Sequence, residues 1–325
     1  MGHTGVASFA NRPLSERERE FQMRQDRPLD VPLRDQLCVI RMNSTFLETV
    51  DAGFPWRGRG SAFALIVGSL LIMFAVALLA LLLTQLATWS ERHRTDNILF
   101  ALGGISLLAL MVWGLVKLLL NESFALTHYP IRYHRKNRMV YYIRANGSAG
   151  SVAWKDIFFT VHRVGDVWYL VGQVLAEDKV TVLETIPAGP AALVTSIDAN
   201  PVTGYFAGGN ALRSHWEFIR RYMEEGPQAT HVIVQSAMPV ASRKETPAES
   251  WRRIFANFDD GEYFWMMLAA PLSMLAYLGR LFVMATSKIP QWPAEIDAAC
   301  VSEPDDPFAV EFDAAGDRVW DNVRI

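Results

Sequence analysis

The sequence predicts a membrane α-helical hairpin joined to an α+β cytoplasmic domain, the latter an antiparallel β-barrel or sandwich with a C-terminal amphipathic helix. Three observations carry this expectation. Residues 61–88 and 98–116 contain no charged side chain, and a hydrocarbon core about 30 Å thick needs roughly 20 apolar residues of helix. Residues 124–236 break into short β-branched and aromatic runs separated by turn signals. Arg213–Glu225 then repeats apolar residues at helical spacing. The 51% hydrophobic and 20% charged totals are ordinary, but their uneven distribution excludes a uniformly soluble chain.

Residues 1–60 form a polar, Arg-rich cytoplasmic segment with no apolar run at its start, so the first span is expected to be an uncleaved signal anchor. The stretch 16–24 alternates Glu and Arg and reads as a short exposed helix supported by Glu20 and Arg24. Gln36–Met42 is rich in apolar and β-branched residues and reads as a strand that joins a later sheet. Phe54-Pro55-Trp56 with Arg57 and Arg59 marks the membrane entrance, an aromatic at headgroup depth beside two cations.

The hairpin occupies 61–120, with spans of about 61–88 and 98–120 and a linker so short that the spans must run antiparallel. Arg57 and Arg59 precede the first span, and Lys117, Arg132, Arg135, Lys136 and Arg138 follow the second. By the positive-inside rule both large flanks are cytoplasmic.

In the domain at 124–236, Ile131–His134 and Met139–Arg144 read as a hairpin across a basic turn, and Asn146-Gly147 marks the next reversal. Four further runs follow, at 152–154, 157–163, 167–175 and 180–186, making six strands. Trp216, Ile219, Tyr222 and Met223 give the helix its apolar face, and Glu217/Arg221, Arg220/Glu224 and Arg221/Glu225 pairs occupy the other. Gly226-Pro227 stops it. The C-terminal region, 237–325, contains a third apolar segment at 263–285 with Pro271 inside and Arg280, a candidate snorkelling cation, near its end. Three placements stay open: a third span, a helix or helix pair packed on the domain or lying at the interface, and a re-entrant segment. A span would put the acidic tail outside.

Charge and motif content narrow the function classes. No segment has the basic excess that extensive phosphate contacts require, so no nucleic-acid partner is expected; residues 289–325 carry two basic against nine acidic residues. Cys38 and Cys300 lie far apart and outside any metal-ligand spacing, and the seven His residues are scattered. With no H-E-x-x-H, G-x-S-x-G, Walker or EF-hand pattern, the chain is not expected to be an enzyme, and no cofactor, metal or small-molecule substrate is expected. Arg132, Arg135, Lys136 and Arg138 are the candidate contacts for anionic lipid, at about 1 kcal/mol per cation near a charged surface. The same cluster also serves as a topogenic signal.

The hairpin followed by Pro130–Tyr141 and Val152-Ala-Trp-Lys-Asp-Ile157 resembles the bacterial membrane-anchored pleckstrin-homology-like (PH-like) domains. The connection at 187–212 is longer than that fold needs. Across most of its length the chain is similar to an uncharacterised bacterial family of two-span membrane proteins with a domain of unknown function. Val50–Trp56, Trp154–Phe159, Trp216–Pro227 and Ile289–Ile296 carry that similarity. It implies a place near type VI secretion and toxin genes: a non-enzymatic immunity or accessory protein at the inner (plasma) membrane, multi-pass, binding a toxin or secretion component and membrane lipids. The alternative is a membrane-tethered PH-like scaffold that senses lipid or a partner.

Overall fold

Short alternating strands and one amphipathic helix build one part of the chain, and long apolar helices the other. The computed structural model describes residues 11–85, 91–164, 167–189, 192–193, 207–234, 237–255 and 263–312. Before the first long helix come β1 (Arg12–Pro13), α1 (Glu16–Glu20), β2 (Gln22–Met23), β3 (Val39–Met42) and β4 (Phe46–Thr49). The long helices are α2 (Arg59–Gln85) and α3 (Glu91–Glu122). Then follow β5 (Ile131–His134), β6 (Met139–Ile143), β7 (Ala149–Ala153), β8 (Ile157–Val164), β9 (Val167–Leu175), β10 (Thr181–Pro187) and β11 (Ala192–Leu193). The remaining helices are α4 (Ala207–Glu224), α5 (Gln228–His231), α6 (Pro247–Phe255), α7 (Tyr263–Thr286) and α8 (Ala294–Ala299). Two compact units result: Met1–Pro55 with Leu126–Glu245 and Lys288–Ile325, and Trp56–Ala125 with Thr246–Ser287.

The first unit holds two antiparallel sheets. Sheet I runs β1-β10-β9-β8-β2, with β11 also on β9, and sheet II runs β3-β4-β5-β6-β7. The expected hairpin is β5–β6, and Gly147, at φ 84°, supplies the left-handed turn residue before β7. A 3-10 turn at Trp154–Asp156 carries the chain from sheet II into sheet I. The six expected strands are thus shared between two sheets, and among the described residues neither closes into a barrel. Gln36–Met42 contributes β3, as expected, and pairs with β4.

One core joins the two sheets and α4. Trp154, Phe159 and Trp216 are buried with ring centroids 4.7 to 5.8 Å apart, and Ile219, Tyr222 and Met223 complete the helix's apolar face. Aromatic pairs at such spacings add about 0.5–1.5 kcal/mol beyond their buried area. The other face of α4 differs from expectation. Glu217 is fully buried, accepts from the Leu29 N–H at 3.0 Å, and bridges Arg220 and Arg221. Arg220 reaches Glu225, while Glu224 turns away to Arg138 and the Trp154 indole. The cause is the segment before β3: Leu29 and Arg34 bond to α4, so a face read as solvated is covered.

The Glu/Arg-rich stretch near residue 18 is likewise more than a solvated face. Glu18 is buried, receives both terminal nitrogens of Arg12 at 2.6 and 2.7 Å, closes a capping box with Ser15, and accepts from Gln173 at 3.0 Å. Burial opposes its ionisation, but the bonds from Arg12 and Ser15 outweigh it and hold the carboxyl down at about 2. Glu18 therefore fastens the N-terminal segment to sheet I.

In the second unit, α2 and α3 are long and apolar enough to cross a membrane. At about 1.5 Å per residue, 27 and 32 residues extend roughly 40 and 48 Å. Glu122, in the last turn of α3, caps the start of α2: its Oε2 accepts from the Gly58 and Ser61 N–H groups and the Ser61 hydroxyl at 2.9 to 3.2 Å. The apolar segment at 263–285 forms the 24-residue α7, which contains Pro271 and packs against α2. At their contact Gly58 lies against the backbone of Gly279 and Arg280. Arg280 is fully buried there, with Nη1 3.4 Å from the Arg57 carbonyl, so it does not snorkel.

Candidate functional site

Sheet II has an unusual property: every residue of β4 and β5 is buried. An antiparallel sheet ordinarily packs one face on the core and leaves the other in water. Here Leu47, Ile131 and Tyr133 face the core. The alternate set, Phe46, Glu48, Arg132 and His134, forms a second buried layer, because the segment after α7 lies over it.

Strand register builds that layer. Glu48 stands directly opposite Arg132 and also pairs with Arg41, while Tyr141 lies opposite Arg132 on its other side. Arg41, Glu48, Arg132 and Tyr141 therefore cross four strands in one row. Glu48 Oε2 is 3.1 Å from Arg41 Nε and 3.2 Å from Arg132 Nε. The tail completes the pairings. Trp292 donates its indole N–H to Glu48 at 2.8 Å, and Asp297 accepts from Arg132 at 2.6 Å. The Arg132 guanidinium lies 4.4 Å from the Trp292 ring and 5.4 Å from that of Phe46. His134 Nε2 is 2.9 Å from the Ala299 carbonyl oxygen. Cys300 is buried alongside, and burial pushes its thiol pKa up.

Further along, Asp306 accepts from the Ser44 N–H at 2.6 Å and hydroxyl at 2.9 Å. Burial works against its charge, yet those bonds and one from the Phe308 N–H lower its pKa. Met42 and Val310 then exchange backbone hydrogen bonds, adding the tail to the edge of sheet II at β3. That pairing blunts one edge of the sheet.

The four cations expected to meet lipid are divided by this arrangement. Arg132, expected at the surface, has a side chain only 1% exposed and engaged by Glu48, Asp297 and Trp292. Its guanidinium is turned into the buried layer and not toward solvent. Arg135 is half-buried near Gly226. Lys136 is exposed and paired with Glu303, and Arg138 bonds Glu224 and the Met223 carbonyl. The exposed part of the β5–β6 turn thus lies between the end of α4 and the tail.

Sequence reasoning missed Glu48, Trp292 and Asp297 as partners of Arg132. The available signal was complementary charge, since an acidic tail had to find cations somewhere. Among the described residues, no group of three or more His, Cys, Asp or Glu is placed to hold a metal ion.

The geometry defines a protein in which apolar helices join an α+β body, and comparison places the chain in one family. Residues 108–304 match the model of a family of unknown function, DUF6708, and the chain belongs to that family. The matched region runs from within α3 through the tail residues that cover Arg132. No curated protein matches the chain. No solved structure matches it.

Proposed function

We propose that this chain is a non-enzymatic, multi-pass protein of the bacterial inner membrane. Its sheet-bearing unit acts in the cytoplasm by binding a protein partner, as an immunity or accessory protein linked to type VI secretion toxins. The observation that carries the anchoring half is chain connectivity. Both excursions into the helical unit, 56–125 and 246–287, begin and end in the sheet-bearing unit. Such an arrangement suits one folded body held at a single membrane face by a helical hairpin. The link to secretion rests on the sequence resemblance alone.

The partner surface we favour is the β5–β6 turn with the neighbouring tail, where Lys136 and Glu303 are exposed and of opposite sign. Exposed charges at an interface rim act mainly on association rate and partner choice. The test is co-expression with toxins encoded beside the gene, followed by capture of the full-length chain. Relief of growth arrest with stoichiometric toxin retention is expected, weakened by Lys136→Glu with Glu303→Lys. Absence of relief and retention for every neighbouring toxin contradicts the reading.

A second reading, a membrane-tethered PH-like scaffold, is favoured by the packing of α4 through Trp216 against Trp154 and both sheets. In that case Arg135, Lys136 and Arg138 meet anionic lipid. Replacing the three by Gln would then weaken binding to anionic vesicles while leaving partner capture unchanged.

A further inference from the structure

We infer that the helical unit carries a site for one anionic phospholipid, in the cleft between α2 and the α6–α7 pair. The inference rests on the membrane reading above and adds a specific ligand to it. The cleft measures about 520 Å³ and is lined by Arg59, Phe63 and Val67 of α2, Ile254 of α6, and Leu272 and Leu275 of α7, among others. That volume falls in the range of about 300–1,000 Å³ typical of small-molecule sites.

The shape follows from the helix contact. Gly58 and Gly279 let the two backbones meet at one end, where a Cβ on Gly279 would lie 2.1 Å from the Gly58 carbonyl oxygen. Away from that crossing, Phe63 of α2 and Leu272 of α7 line the cleft. Among the described residues the one charged residue that lines the cleft is Arg59, next to the Gly58 contact. From Arg59 to Val67 the apolar lining extends about 12 Å along α2.

Chemistry then selects the occupant. The Arg59 guanidinium sits 4.2 Å over the Trp56 ring, and among the described residues no carboxylate pairs with it. A cation at one end and an apolar wall beyond it match the phosphate and acyl chain of a phospholipid. The lips are continuous with the bilayer-facing surface, since Phe63 is 56% and Leu272 72% exposed. A helix from a partner protein would cover the apolar wall but leave Arg59 unanswered. A lipid satisfies both.

The experiment uses the full-length chain, first washed in membranes with alkaline carbonate, then purified in mild detergent, delipidated and titrated with phosphatidylglycerol or phosphatidylcholine under native mass spectrometry. The wild type is expected to stay in the washed membrane and to hold one phosphatidylglycerol in preference to phosphatidylcholine. Arg59→Gln is expected to weaken that binding roughly five- to tenfold, as for one phosphate-paired cation, with Arg59→Lys restoring most of it. Leu272→Trp is expected to block the cleft. Arg252→Gln, at an exposed cation of α6, serves as the charge control. Retention in the membrane with equal binding by wild type and Arg59→Gln, or an equal loss in Arg252→Gln, overturns the lipid site alone. Release of the chain by carbonate overturns the membrane reading and the site together.

Discussion

Met42 and Val310 exchange two backbone hydrogen bonds, of 3.0 and 2.7 Å, across the edge of sheet II. Met42 precedes α2, α3 and α7, and Val310 follows all three. Beside this, Leu126 and Lys288, the residues at which α3 and α7 return to the sheet-bearing unit, form a parallel bridge. Both ends of 246–287 lie in the sheet-bearing unit, and on the proposed topology α7 would not be a lone crossing that leaves the tail outside.

The Arg132 layer is expected to be structurally demanding. Removing one member of a buried ion pair strands the other charge, at a cost of about 3–5 kcal/mol. Arg132→Met should therefore lower the thermal midpoint of the purified chain by many degrees. Arg132→Lys should rescue little, because a point charge cannot serve Glu48 and Asp297 while stacking on Trp292. A midpoint within a degree or two of wild type would show that the layer contributes nothing.

The tail should behave as part of the fold. Ending the chain after Lys288 removes Trp292, Asp297, Asp306 and Val310 at once, uncovering Glu48 and Arg132. Limited proteolysis is expected to cut sheet II in the truncated chain and spare it in the full one. Equal resistance in both would contradict the covering role.

Stability should fall with acid in two steps of the same sign. His215 is fully buried against Phe218, and burial holds its pKa at about 4 against an ordinary value near 6.5. Between those values the unfolded chain binds the extra proton, so stability present above about pH 6.5 is lost as pH falls toward 4. Glu18, held at about 2, adds a second loss from about pH 4.5 downward. Denaturant midpoints at pH 7, 5.5 and 4.5 test the first step. His215→Gln should flatten the profile above pH 4.5, and an unchanged slope would remove His215 as its source.

Helix contact in the second unit should depend on two glycines. At Gly58, φ is 94° and a Cβ would meet the Arg280 backbone nitrogen at 2.3 Å. Gly58→Ala and Gly279→Ala are both expected to loosen α7, exposing 246–287 to protease. Gly103→Ala, with nothing within 4 Å of its Cβ, is expected to leave the digest unchanged. Equal digestion of all three variants would refute a close α2–α7 contact.

Local signals made much of this fold readable. The charge-free runs gave α2 and α3, turn residues and β-branched runs gave β5 to β10, and the Trp216 stripe gave the buried face of α4. What the sequence concealed has a common cause, which is pairing between distant segments. Two-residue strands such as β1 and β2 are too short to show a period. Phe46–Thr49 shows no alternation because both its faces are covered. Arg132 reads as one of four clustered cations that could meet lipid, and only Glu48, 84 positions earlier, and Asp297, 165 positions later, show it buried in ion pairs. In the sequence the nine acidic residues of 289–325 show only as a charge excess, without partners. Two of them, Asp297 and Glu303, are answered by Arg132 and Lys136 of sheet II and its turn.

The central claim is that both flanks of the hairpin and the tail share one side of the membrane, with the α2–α3 linker on the other. Paired reporter fusions at residue 90, at residue 240 and after residue 312 test it directly, using an enzyme active only in the periplasm and a fluorophore that matures only in the cytoplasm. The account predicts a periplasmic signal at 90 and cytoplasmic signals at 240 and 312. A periplasmic signal at 312 alongside a cytoplasmic one at 240 would contradict it, since α7 would then be a single crossing and the Met42–Val310 pairing could not exist.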